Sequence, residues 1–164
     1  SVPTARKRWI VSMLRSWINL KSSAKVAVLN NGIIEQFDKP EVVYSYPTTE
    51  FVARFVGFEN FIDLTEVSKG VYKDKSGIIF EVENNKGKKE AKGTIRPEDI
   101  KIVDEKGKNT IEGRVEIRTF LGKCYQYEVK TSLGNITVNG DSSKVYNQDD
   151  KILLQLPSNK IILV

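Results

Sequence analysis

The chain has 164 residues, of which 40% are hydrophobic and 29% are charged, and its 26 basic and 21 acidic side chains give a net charge of +5. This composition is ordinary for a globular protein, and no run approaches the roughly 18 apolar residues that a membrane-spanning helix needs. The lack of any histidine and the single cysteine, Cys124, exclude the usual zinc ligand sets and an internal disulfide, and they remove the commonest general base.

Motifs that would carry catalysis are missing from the sequence. It contains no glycine-rich phosphate loop, no dinucleotide-binding fingerprint and no nucleophile elbow. We therefore expect no catalytic residue, no metal site and no cofactor in this chain. The single cysteine favours a reducing compartment.

Residues 1–23 are predicted to form a leader helix. A basic cluster, Arg6–Arg8, precedes apolar residues at helical spacing, which are Ile10, Met13, Leu14, Trp17 and Ile18. A basic amphipathic helix suits a membrane surface or a partner groove. Packing on its own domain, or a terminus foreign to the fold, is the favoured alternative.

Residues 24–57 predict a hairpin followed by two short helices. Asn31-Gly32 is a two-residue turn between extended runs. A helix is predicted over Pro40–Tyr46, because proline suits the first helical position. Thr48 or Thr49 caps a second helix that ends at Gly57. The apolar side chains of these helices need cover from the leader helix, from a second chain or from a missing domain.

From residue 58 onward, short apolar runs separated by turn clusters predict a small β-barrel or sandwich. The predicted strands are Leu64–Val71, Gly77–Glu83, Gly93–Ile95, Ile100–Val103, Ile111–Phe120, Tyr125–Thr131, Asn135–Val138, Lys151–Leu156 and Lys160–Val164. In the fifth of these, we expect Val115, Ile117 and Thr119 to form the buried face, because they alternate with charged residues.

The stretch "KVAVLNNGIIEQFDKPEVVYSYPTTEFVARFVGFENFI" resembles the C-terminal end of the nucleotide-binding domain in ABC importer ATPase subunits. The matching positions are Gly32, Gln36, Pro40, Tyr44, Pro47, Phe51, Val52, Ala53, Phe55 and Gly57. Asp38 stands where that family usually has glycine. Two later motifs, "TIRPEDI" (Thr94–Ile100) and "IEGRVEIRTFLGKCYQYEVKTSLGNITV" (Ile111–Val138), resemble the transport-associated OB (TOBE) domain appended to such ATPases.

The resemblance implies a mainly β fold: a small OB-like barrel at 58–164, preceded by the tail of an ATPase domain at 24–57 and by a non-matching leader at 1–23. We interpret the chain as a fragment, or a frame-shifted product, that lacks the ATPase motifs and is not an enzyme by itself. ATP and Mg²⁺ would belong to the parent subunit.

The function implied is accessory or regulatory, through dimerisation and through sensing of a ligand. The importer would carry an oxyanion, iron, a polyamine or a similar solute. The implied partners are a second copy and membrane permease subunits, with no direct membrane insertion. The implied location is the cytoplasmic face of the membrane, reached through the transporter.

Five residues in the two barrel motifs are candidates for a ligand or interface site: Arg96, Glu98, Lys123, Tyr125 and Tyr127. Arg96 and Glu98 alternatively brace the barrel. The two tyrosines, two positions apart, fit a stacking platform or the core equally well. The rival function is an OB-like nucleic-acid binder. We expect no nucleic-acid partner, because the basic residues are scattered among turns and balanced locally by acidic ones.

Overall fold

The computed structural model describes residues 24–164, so the predicted leader helix and its packing lie outside the described residues. The chain separates into two compact units, the first ending at Phe58 and the second covering Glu59–Leu163. This boundary lies one residue from the expected one. The assignment of the three segments to a leader, an ATPase tail and a barrel stays a prediction.

The first unit starts with an antiparallel hairpin of β1 (Val26–Asn30) and β2 (Ile33–Asp38). Asn31 and Gly32 join the strands with φ angles of 49° and 80°. Two successive positive φ angles are what a tight two-residue hairpin turn requires, and Asn-Gly adopts them at little cost. The predicted turn is confirmed.

Helices α1 (Pro40–Ser45) and α2 (Glu50–Phe55) follow the hairpin. The Thr49 hydroxyl accepts a hydrogen bond from the backbone N–H of Val52 at 3.2 Å, which is the predicted cap. The buried Gln36 side chain fastens the link between the helices to β2: its amide donates to the Tyr46 carbonyl at 3.1 Å, and its oxygen accepts from the Thr48 N–H at 3.0 Å.

The second unit consists of two five-stranded antiparallel sheets. In one sheet the strand order is β12-β6-β3-β4-β5, and in the other it is β10-β9-β8-β11-β7. The strands are β3 (Asn60–Ser68), β4 (Val71–Lys73), β5 (Ile79–Glu81), β6 (Glu90–Ile95), β7 (Lys101–Val103), β8 (Thr110–Phe120), β9 (Cys124–Thr131), β10 (Gly134–Asp141), β11 (Lys151–Gln155) and β12 (Ile162–Leu163).

The two sheets share one hydrophobic core, to which both contribute fully buried aromatic residues such as Tyr72, Phe80 and Tyr127. The mainly β fold predicted from the sequence is confirmed. No helix within residues 24–164 is long and apolar enough to cross a membrane.

Two buried asparagines connect the sheets by side-chain hydrogen bonds. Asn60 in β3 accepts from the N–H of Thr137 in β10 at 2.8 Å, and its amide donates to the carbonyls of Thr137 at 2.8 Å and Ile95 at 3.3 Å. Asn109, just before β8, accepts from the N–H of Glu81 in β5 at 2.8 Å. It donates to the carbonyls of Glu81 at 2.8 Å and Leu156 at 2.9 Å.

In each carboxamide, the oxygen and both N–H groups thereby form hydrogen bonds. The carboxamide both donates to and accepts from one residue of the opposite sheet, as a neighbouring strand would. Asn109 has a φ of 55°, a left-handed conformation that asparagine tolerates better than most residues. The asparagines are 3% and 7% exposed, so losing either would leave buried backbone groups unpaired.

The predicted continuous strand Leu64–Val71 is wrong. A turn at Lys69-Gly70 interrupts it, and β3 folds back onto β4 with Ser68 opposite Val71. Gly70 has a φ of 74°, which a glycine adopts without the steric cost that a Cβ imposes.

The predicted buried face of β8 is also wrong beyond Val115. That residue is fully buried, but Ile117 is 50% exposed and Thr119 is exposed as well. A β-bulge lies between Val115 and Ile117, where Glu116 is the extra residue. Because side chains alternate with a period of two, one inserted residue exchanges the inward and outward positions of every residue after it.

We predict that Asn60→Ala lowers the free energy of unfolding by about 3 kcal/mol, because three buried backbone groups lose their partner. Urea unfolding followed by circular dichroism measures this. The control is Asn135→Ala, an exposed asparagine of β10, which should change stability by less than about 0.5 kcal/mol. Equal losses in the two variants would contradict the bridging role of Asn60.

Candidate functional site

Of the five predicted site residues, Arg96 and Glu98 lie at the end of β6. Arg96 is buried and extended, and Pro97–Asp99 then forms a 3-10 turn. Glu98 is exposed, and the neighbouring carboxylate of Asp99 lies 4.0 Å from the Lys160 ammonium. The turn therefore places one of the two predicted residues in the interior and the other at the surface.

The other three predicted residues lie on the β8–β9 hairpin. Lys123 is exposed in its turn, Tyr125 is half-buried, and Tyr127 is fully buried. The structure brings the two tyrosines together, with ring centroids 6.3 Å apart. Gly140 of β10 makes room for the Tyr127 ring, because a Cβ there would lie 2.8 Å from the ring carbon Cε2.

Tyr125 and Tyr127 belong to a larger aromatic cluster, which also contains Phe120 and Tyr146. The Phe120 and Tyr125 centroids are 5.2 Å apart, and Tyr127 meets Tyr146 edge-on at 5.7 Å. The β8 bulge produces this arrangement, since it places Phe120 opposite Tyr125 and Arg118 opposite Tyr127.

Two cations lie against the aromatic cluster. The Arg118 guanidinium carbon is 5.5 Å from the Tyr125 centroid, and the Lys144 ammonium is 5.3 Å from that of Tyr146. Arg118 also donates to the Asn147 side-chain oxygen at 2.8 Å and to the Tyr146 carbonyl at 3.3 Å. These contacts fasten the loop that precedes β11 to β8.

The buried hydroxyl of Tyr127 also contacts the loop that precedes β11. It accepts a hydrogen bond from the backbone N–H of Tyr146 at 3.1 Å. Tyr127 is therefore a framework residue that positions Tyr146, whereas Tyr125 and Phe120 present ring surface to solvent.

A shallow groove of about 390 Å³ lies beside the cluster. Its lining consists of Ile100–Val103, Asn139–Asp141, Lys144 and Tyr146. The groove thus combines apolar wall, one aromatic ring, one carboxylate and two ammonium groups. It starts one residue after the Pro97–Asp99 turn.

Two charged groups of the groove, Lys144 and Asp141, have pKa values shifted in the direction that favours their ionised forms. A hydrogen bond with the Tyr146 hydroxyl, followed by the nearby Asp104 carboxylate at 3.6 Å, raises the pKa of Lys144. A 2.7 Å hydrogen bond from the Ser143 N–H lowers the pKa of the Asp141 carboxyl. The groove can therefore offer a carboxylate to a cationic ligand at neutral pH.

Sequence reasoning missed Arg118, Asp141, Lys144 and Tyr146 as members of this site. The last three lie in or next to a polar loop. The turn-forming residues of this loop predict a connection between strands and give no indication of a site. Tyr146 was the one residue that could have indicated a site, because large aromatic side chains are uncommon in exposed polar loops. Within residues 24–164 no cluster of three or more His, Cys, Asp or Glu side chains is arranged to hold a metal ion.

Comparisons with known proteins find one domain family and relatives of one name. The TOBE domain family matches residues 93–164. A spermidine/putrescine import ATP-binding protein PotA from Onion yellows phytoplasma (strain OY-M) is 38% identical over 124 residues, which is 71% of this chain and 28% of that protein. The PotA of Clostridium novyi (strain NT) is 38% identical over 113 residues, covering 68% of this chain and 32% of its own length.

The chain thus spans about a third of the length of the curated relatives that it matches. Among solved structures, the cytoplasmic molybdate-binding protein ModG, with molybdate bound, matches with a TM-score of 0.53. The match covers 64% of this chain and 94% of ModG at 12% sequence identity, so the likeness concerns the fold alone. It confirms the predicted OB-like architecture.

We predict that Tyr127→Phe lowers the free energy of unfolding by about 1 kcal/mol, because the Tyr146 N–H loses its acceptor. The matched variant Tyr125→Phe keeps its ring contacts and should change stability by less than about 0.5 kcal/mol. Chemical denaturation of both variants gives the comparison. A Tyr125→Phe loss equal to or larger than that of Tyr127→Phe would contradict the framework role of Tyr127.

Proposed function

The chain carries a TOBE domain and belongs to the family of ABC importer ATP-binding subunits, and on this premise we propose that it is the accessory, regulatory part of such a subunit. The observation that carries the proposal is the TOBE match to residues 93–164 together with relatives of one name. We further propose that the part self-associates and senses a small ligand.

Polyamines are the proposed ligand class. The two relatives described above are named for spermidine and putrescine import, and these solutes are flexible chains with several ammonium groups. The groove beside the aromatic cluster suits such a chain, because methylene groups can lie along Ile102 and an ammonium can reach the Asp141 carboxylate.

The five residues predicted from the sequence have separate places in this proposal. Glu98, exposed two residues before the groove begins, supplies a second carboxylate for an ammonium group. Arg96 and Tyr127 hold the framework, and Lys123 and Tyr125 contribute to the surface for self-association.

Within the parent complex, we propose that the partners are membrane permease subunits and that the domain lies on the cytoplasmic side. ATP and Mg²⁺ would act elsewhere in the parent subunit. The sequence has no glycine-rich phosphate loop, and the helices that the structure describes begin at Pro40 and Glu50, neither preceded by one. These residues do not fit a nucleotide site.

Nucleic-acid binding is the second candidate function. Phe120, 63% exposed in an OB-like barrel and close to Arg118 along β8, is the observation that favours it. In the groove the Asp141 carboxylate would repel a polyanion, whereas Lys101 and Lys144 would attract one. Tight, steeply salt-dependent binding of single-stranded DNA would favour this function over polyamine sensing.

We predict that isothermal titration detects spermidine binding to the chain and that Asp141→Asn weakens it about fivefold, because one ion pair with the ligand is lost. Asparagine keeps an oxygen for the Ser143 N–H and removes only the charge. The control is Asp149→Asn, which lies outside the groove and should leave the affinity unchanged. Equal affinities for the two variants would contradict the groove as the site, and binding of molybdate instead of spermidine would contradict the ligand class.

We also predict that the chain alone has no ATPase activity, because it lacks residues that cradle the phosphates of ATP. A phosphate-release assay with Mg²⁺ and ATP should give the same rate as a heat-inactivated sample. Turnover above that background would refute this part of the proposal.

A further inference from the structure

Strand β8 has an open edge between Glu116 and Gly122. Its pairing with β11 ends at Arg114, opposite Lys151, and the backbone of Val115 is paired with Asp149 and Asp150. Beyond the bulge, β8 continues to Phe120 with β9 on one side only. Within residues 24–164 no strand pairs with the other side of this segment.

The direction of the backbone groups follows from one hydrogen bond. The Leu121 N–H donates to the Cys124 carbonyl at 2.9 Å, so Leu121 directs its backbone groups towards the β9 side. Hydrogen-bonding residues alternate along an antiparallel strand, so Ile117 and Thr119 do the same. The N–H and C=O groups of Arg118 and Phe120 therefore point to the open edge.

The side chains along this edge are unusually apolar for a solvated strand. Ile117, Phe120 and Leu121 are 50%, 63% and 50% exposed. No proline or lysine lies between Glu116 and Gly122, and the inward-pointing charge of Arg118 is held against Tyr125 and Asn147, so two common devices that prevent strand addition are absent.

We propose that this edge is the surface on which a second copy of the chain docks, by antiparallel pairing of β8 with β8 in a register centred on Thr119. A two-fold axis perpendicular to the sheet relates the two copies. The inward faces of both copies therefore lie on the same side of the joined sheet. The proposal rests on the proposed self-association and assigns it to one surface.

The open edge is self-complementary in that register. Arg118 of each copy lies opposite Phe120 of the other, and these two residues direct their backbone groups outward, so they form hydrogen-bonded pairs. Their side chains share the inward face as a cation and an aromatic ring.

On the outward face, Ile117 of each copy meets Leu121 of the other, and the two Thr119 side chains meet on the axis. Glu116 comes opposite Gly122, next to Lys123 of the other copy, which adds an ion pair at each end. Because Asp149 and Asp150 already pair with Val115, a register centred on Ile117 would bring the second strand into them.

Cysteine cross-linking of the full chain tests the register. Thr119→Cys in a Cys124→Ser background places two thiols across the axis, where directly opposite Cβ atoms lie about 4.5–5.5 Å apart, close to disulfide range. We expect most of the protein to form a disulfide-linked dimer under mild oxidation. The matched control, Glu128→Cys in the same background, puts an exposed cysteine on β9 opposite Ile117, away from the edge. Equal cross-linking of the two variants would overturn the register.

Sedimentation of Thr119→Asp tests the surface independently. Two like charges directly opposite each other should raise the dimer dissociation constant at least about tenfold, while Thr65→Asp, on an exposed position of β3, should leave it unchanged. A wild-type dimer that Thr119→Asp does not weaken would overturn this surface and leave self-association standing. A wild-type chain that stays monomeric at high micromolar concentration would overturn both.

Discussion

Two asparagine side chains, Asn60 and Asn109, take the place of backbone pairing between the two sheets. Each sheet has an edge strand, β10 in one and β5 in the other, that an asparagine from the opposite sheet completes. A carboxamide can donate and accept at once, so it satisfies a buried strand edge that an apolar side chain would leave unpaired. The packing of the two sheets depends on these bridges, because both sheets contribute to one core without sharing a strand pair.

The two surfaces proposed to be functional follow from this closure and from one bulge. Asn60 holds β10 close to the end of β6, where the Pro97–Asp99 turn leads into the groove wall Ile100–Val103. Next to this groove, the bulge at Glu116 turns Phe120 and Arg118 inward to the aromatic cluster. The same bulge ends the partnership with β11 and leaves an edge open. The proposed ligand groove and the proposed self-association surface therefore lie on the same sheet.

Local signals predicted the parts of the fold that depend on local chemistry. The Asn31-Gly32 turn and the Thr49 cap need only neighbouring residues, and both lie where the sequence placed them. The β8 bulge could not be predicted, because apolar and charged residues alternate without a break through Glu116. This alternation predicts a regular strand. The bridging roles of Asn60 and Asn109 could not be predicted either, because asparagine usually indicates a turn and their partners lie up to 77 residues away. Of the site, Tyr125 and Tyr127 could be proposed from their motif, whereas Tyr146 joins them only through tertiary contacts.

Hydrogen exchange of two amides tests the bridging account most directly. The N–H groups of Thr137 and Glu81 each donate to an asparagine side chain across the sheets. If the asparagines bridge the sheets, native-state exchange followed by NMR will show both amides as protected as those in the core strands, because they open only when the sheets separate. Exchange of these two amides as fast as that of an exposed turn residue such as Lys75 would contradict it.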